Sequence, residues 1–217
     1  MSKINNTIKL LILSDIFTVT GFGLIDPILA IFIKDNLIGG TLFTAGVASS
    51  LFLITKSIIQ LAFSKHVDTH DDNDDLKWLI IGSIIIATVP FIYIFAHHIY
   101  AIFFAQIIHG IGSGLVYATW VGLWSTHMDK NKESFEWGLY STSVNVGAAI
   151  SSSLGAGLAQ LFGFRITFII TGILSIIGSL ILFKLKKHYR KNHNINAPIE
   201  IKKSKIKKIN QTADGFF

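Results

Sequence analysis

Six stretches of the 217-residue chain run with almost no charge: Ile8–Ile33, Thr41–Ser64, Leu76–Ala96, Ile99–Thr126, Phe135–Phe162 and Phe164–Lys184. Each holds about 20 residues or more, enough to cross a hydrocarbon core of about 30 Å as a helix rising 1.5 Å per residue. None alternates between apolar and polar positions as a membrane β-strand must. The pattern therefore predicts an all-α membrane protein with six transmembrane helices over residues 8–184. Charged residues make up 15% of the chain and mean hydropathy is +0.55. A soluble domain carries about 25% charged residues. A soluble enzyme, a disordered chain and a conventional nucleic-acid-binding domain are excluded.

The absence of cysteine removes disulfides, thiolate metal sites and cysteine nucleophiles. The apolar run from Ile8 is too long for a cleaved signal core, so the first span is expected to be retained. Net charge is unevenly placed. Residues 184–217 carry 10 Lys+Arg against 2 Asp+Glu, and residues 1–183 carry 9 against 11, which together give the net +6. The basic character belongs to the tail, which fits an anionic lipid surface better than a nucleic acid. Lys3, Lys9, Lys65, Lys77, Lys130, Lys132 and the tail fall on one side of the six spans, and Lys34 and Arg165 on the other. The lysine and arginine bias predicts both termini inside. The expected organisation is a cytoplasmic N-terminus (1–7), the bundle (8–184) and a basic cytoplasmic tail (185–217), disordered or linker-like. Localisation is expected to be multi-pass in a bacterial cytoplasmic membrane.

Between the spans, Thr41 is a candidate N-cap, Asp74 and Asp75 precede the third helix, and Asn131 to Ser134 precede the fifth. Gly163 alone separates the last two. Trp78, Trp137 and Tyr189 are placed as interfacial anchors. Trp120 and Trp124 lie in the fourth helix, with packing or lipid contact favoured over cavity lining.

Ionisable groups in mid-membrane face a bundle interior or a wet cavity. Asp15, Asp26, Lys56 and His109 are such groups. Asp15 and Lys56 fall within about 2 Å of the same depth, and Asp26 and His109 within about one turn. A pathway for a solute or ion and a structural Asp15–Lys56 ion pair are alternatives of equal weight. Gln106 and Asn145 join the candidate pathway, with polar contacts between helices as their default role. Pro27, with Gly21 and Gly23, is expected to bend the first helix, either for gating or for close packing. Gly110, Gly112 and Gly114, and Gly147 with Ser151 and Gly155, read as close-packing positions rather than phosphate loops. Asp71 to Asp75 lacks the glycine and glutamate of a calcium loop, and adjacent His97-His98 does not define a metal site. No metal site, cofactor or catalytic constellation is expected, so the chain is not read as an enzyme.

Several of these positions resemble motifs of the major facilitator superfamily. Asp68 matches the aspartate of that family's loop between helices two and three, with Lys77 in place of its basic residues and Ser64 in place of its first glycine. Gln106-Ile107-Ile108-His109-Gly110-Ile111-Gly112 is similar to Arg-x-x-Gln-Gly-x-Gly in helix four. Gly163-Phe164-Arg165-Ile166-Thr167-Phe168 is similar to Gly-Trp-Arg-x-x-Phe before helix six. The resemblance covers about Ile8 to Lys184 and implies the N-terminal half of such a transporter. That half is a bundle of two inverted three-helix repeats that moves a small solute by alternating access. It also implies a second six-span half or a parallel homodimer, with a proton or another ion as a candidate coupling partner. Gln106 stands where the family's coupling arginine is found, and Ser151-Ser152 where drug–proton antiporters carry Gly-Pro. The alternative is a non-transporting six-span protein acting as a partner or scaffold.

Overall fold

A computed structural model describes residues 6–128 and 132–186. Lys3, Lys130, Asn131, Tyr189 and the basic tail lie outside the described residues. Within them every regular element is helical: α1 Asn6–Gly23, α2 Asp26–Asn36, α3 Leu42–Val67, α4 Asp72–Phe95, α5 Ile99–His127, α6 Glu133–Phe162 and α7 Phe164–Lys186.

The first span is one crossing made of two helices. Pro27 sits in the first turn of α2. It has no N–H to donate and its ring excludes a helical carbonyl four residues back. The chain tightens before it: Leu24 N–H donates to Gly21 O at 3.1 Å and Ile25 N–H to Phe22 O at 2.8 Å. The expected bend is thus a break. The Thr171 hydroxyl of α7 also donates to Gly21 O, at 2.9 Å, so the opened backbone is held by a neighbouring helix.

The other ends follow their local chemistry. Thr41 caps α3, forming a reciprocal capping box with Thr44. Asp71 caps α4, accepting from Asp74 N–H at 3.0 Å. This cap starts α4 at Asp72, so Asp74 and Asp75 lie in its first turn rather than ahead of it. Gly163, at φ +84°, makes the whole joint between α6 and α7. That left-handed backbone favours glycine.

Among the described residues, five segments are long and apolar enough to cross a membrane: Thr7–Asn36, Leu42–Val67, Asp72–Phe95, Ile99–His127 and Phe164–Lys186. α6 has the length, at 30 residues, but its Ser, Thr, Asn and Gly dilute its hydropathy. It joins the bundle by packing: Ser151 and Gly155 are buried, and Gly155 lies against the backbone of Leu24.

The packing follows a repeat. α5, the first helix of the second set of three, packs on α3 and α4 of the first set. The first span packs reciprocally on α6 and α7 of the second set. Each lead helix is thus embraced by the trailing pair of the other set, the arrangement expected of two three-helix repeats. Two buried clusters mark the ends. One joins Ile8, Leu11, Leu76, Leu79, Leu123 and Leu185, so the described start of α1 and end of α7 share one end of the bundle. The other joins Ile33, Ala45, Tyr93, Ile99 and Phe168. At that second end Ile38 is tied to the α4–α5 loop by backbone bonds of 3.0 and 3.1 Å to His97 and Ile99.

Candidate functional site

Among the described residues, two larger cavities lie between these clusters. The larger, of about 400 Å³, is lined by Asp15, Asp26, Lys56, His109, Tyr117 and Tyr140, among others. The smaller, of about 310 Å³, includes Asp26, Ser49, Tyr93, Gln106 and His109 in its wall. Phe22, Asp26, Phe52 and His109 line both. His109 is sandwiched between two rings, with centroids 4.3 Å from Phe22 and 4.5 Å from Phe52. This three-ring stack joins the first span, α3 and α5 at the boundary of the two spaces.

Each ionisable group has its own setting. Asp15 accepts a 2.6 Å hydrogen bond from the Tyr140 hydroxyl of α6. Lys56 Nζ lies 5.3 Å from the Tyr117 ring centroid and 5.9 Å from that of Phe52. These distances suit attraction of the ammonium to aromatic faces. Of the two alternatives for Asp15 and Lys56, the ion pair is not formed among the described residues. Tyr140 holds the carboxylate and the rings hold the ammonium, so the two charges share a cavity without closing on each other. Gln106 is buried in α5 and its Oε1 has no protein hydrogen-bond partner. A buried amide oxygen left without a partner costs about 1–3 kcal/mol unless water or a solute meets it.

Asp15, Asp26, Lys56, Gln106 and His109 therefore gather at the two cavities. Asn145 does not. It is exposed on α6 and donates to Ser141 Oγ at 3.4 Å. Asp68 caps the end of α3 through its backbone, while Lys77 pairs with Asp74 at 3.2 Å. Glycines bring the helices together around the cavities. A Cβ at Gly110 or Gly114 would press on the backbone of α3, and one at Gly112 on that of Gly82 in α4. Gly21 faces Thr171 and Leu174 of α7, and Gly147 faces Thr20. Gly23 lies against Ser151, so the broken part of the first span is seated on the small residues of α6.

Sequence reasoning missed the aromatic lining. Nothing in the spacing of Asp15 and Tyr140 shows that their helices meet. Trp120 lines the larger cavity and stacks on Trp124 at 4.7 Å, so cavity lining and packing coexist there. Trp137 packs on Trp124 at 5.4 Å and Trp78 on Phe63 at 5.0 Å.

The comparisons with known proteins bear on family and fold. The profile of the Major Facilitator Superfamily matches residues 11–212. An uncharacterized MFS-type transporter of Methanocaldococcus jannaschii is 21% identical over 203 residues, covering 94% of this chain and 51% of that protein. Quinolone resistance protein NorA of Staphylococcus aureus is 25% identical over 159 residues, 73% of this chain and 39% of its own. The chain thus spans about half the length of the first of these relatives and less of the second. A crystal structure of the POT family transporter PepTSo superposes with a TM-score of 0.67 at 18% identity, covering 86% of this chain and 38% of that one. That likeness is one of fold. With the profile matched over nearly its whole length, the chain belongs to the Major Facilitator Superfamily.

Proposed function

We propose that this chain forms one six-helix bundle of a secondary transporter that moves a small charged or polar solute by alternating access. The observation that carries the reading is the meeting of Asp15, Asp26, Lys56 and His109, from three different spans, on one cavity of about 400 Å³. That volume lies in the range of small-molecule sites. Charges of both signs inside a membrane protein are expensive and mark solute or ion pathways. The stack of Phe22, His109 and Phe52 divides this space from the second cavity, whose wall includes Gln106.

A second bundle supplies the facing wall. On α6, Ser141, Thr142, Asn145 and Ser153 are exposed. Polar side chains in a crossing helix are stabilised by another protein surface rather than by lipid tails. The facing bundle belongs to the same polypeptide, a separate chain or a second copy in parallel orientation. The end that gathers Ile8 and Leu185 faces the cytoplasm, as the lysine and arginine bias requires.

The test is accumulation of labelled organic cations, anions and zwitterions in cells expressing the protein, against cells carrying an empty vector. The expected result is altered accumulation of one charge class that depends on an ion gradient. Unchanged accumulation of every class, with the protein and its facing bundle both inserted in the membrane, contradicts the reading.

A further inference from the structure

We propose that His66, His70 and Asp74 form a binding site for a divalent transition-metal ion of the zinc class at the junction of α3 and α4. The three side chains each offer one ligand atom, and these atoms lie within 4.8 Å of one another. They come from two elements. His66 is in the last turn of α3, His70 lies just past it, and Asp74 is in the first turn of α4. The chain stays coiled beyond α3, with Thr69 N–H donating to His66 O at 3.1 Å and His70 N–H to Val67 O at 3.4 Å. That coil keeps residues four apart on one face. The two imidazoles accordingly stack with centroids 3.7 Å apart.

The hydrogen bonds prepare the ligands. His70 Nδ1 lies 2.7 Å from His66 O. Thr69 Oγ1 also lies 2.9 Å from this nitrogen, and in the tautomer that donates Nδ1–H to the carbonyl, Nε2 keeps its lone pair for a metal. A ring nitrogen anchored on a backbone carbonyl while the other faces the metal is the usual arrangement of ligating histidines. His66 Nε2 and Asp74 Oδ2 lie 2.9 Å apart. Two ligands of one tetrahedral zinc lie about 3.3 Å apart, so an ion enters between them with a movement of a few tenths of an ångström. Lys77 engages the other oxygen, Asp74 Oδ1, at 3.2 Å and leaves Oδ2 to the site. Two imidazole nitrogens and one carboxylate oxygen select zinc, cobalt, nickel or copper over calcium and magnesium, which take oxygen shells. The exposure of His70 leaves the remaining position to water. An ion here pins the end of α3 to the start of α4, away from the cavities.

The test is calorimetric titration of zinc into the full-length protein, purified without a histidine tag, stripped with chelator and held in mild detergent. The expected result is saturable binding of a single zinc per chain, weakened about 10–100-fold or more in His70→Ala and in Asp74→Asn. His98→Ala, an exposed histidine of the α4–α5 loop, leaves the affinity unchanged. Far-UV circular dichroism confirms that each variant is folded, and His70, being exposed, tolerates truncation. No saturable binding, or native affinity in both ligand variants, overturns the proposal.

Discussion

Asp15→Leu and Lys56→Leu are each expected to reduce transport to background while leaving the protein inserted and folded. Both groups line the larger cavity, and neither neutralises the other directly. Asp15 is held by Tyr140 and Lys56 by the rings of Tyr117 and Phe52. The double variant separates this account from a packing role. If the two served only as a buried ion pair, removing both would relieve the unpaired charge left by either single change and restore function. On the present account each does a separate task in the pathway, so the double variant stays inactive. The measurement is initial uptake rate at matched membrane abundance. Recovery in the double variant contradicts the assignment.

The second large effect concerns packing. A Cβ at Gly155 falls on the backbone of Leu24, at the break between α1 and α2. Backbone cannot rotate away as a side chain can, so α6 must retreat from the first span. Overpacking of this kind costs about 1–3 kcal/mol for a single methyl and more for larger groups. Gly155→Leu is therefore expected to lower the Tm in detergent sharply and to reduce membrane abundance. Gly157→Ala, two residues on and facing open space, leaves the Tm unchanged or slightly raised. Equal Tm values for Gly155→Leu and the native protein would mean that the first span and α6 are not in this contact.

The crossings were legible because membrane spans must be long and apolar, and because Gly163 and Thr41 carry turn and cap chemistry that acts locally. The break at Pro27 was visible as a disturbance. Its extent was not, because it depends on the Thr171 hydroxyl of α7 donating to the Gly21 carbonyl. α6 stood out from its neighbours for the opposite reason: its small polar residues weaken the apolar signal and strengthen the contact with the first span. At the site, depth along each helix paired Asp15 with Lys56 and Asp26 with His109, at two levels of the bundle. Depth carries no rotation, so it could neither exclude Asn145 nor find Tyr140, whose helix was expected to contribute packing residues. The histidine pair of the α3–α4 junction was overlooked for a different reason. His97-His98 and the run Asp71–Asp75 drew attention as adjacent residues, whereas His66 and His70 meet through a spacing of four.

On the proposed function, the cavity among the spans is a water-filled solute pathway. The native chain contains no cysteine, so single cysteines report on it directly. Ser113 and Thr18 line the larger cavity, whereas Leu61 is an exposed apolar residue of α3. Ser113→Cys and Thr18→Cys, in native membranes, are expected to react with a small hydrophilic thiol reagent, and Leu61→Cys to resist it. Transported solute should slow the first two reactions. If Ser113→Cys and Thr18→Cys are as inert as Leu61→Cys, the cavity is dry and the account of a pathway through it is wrong.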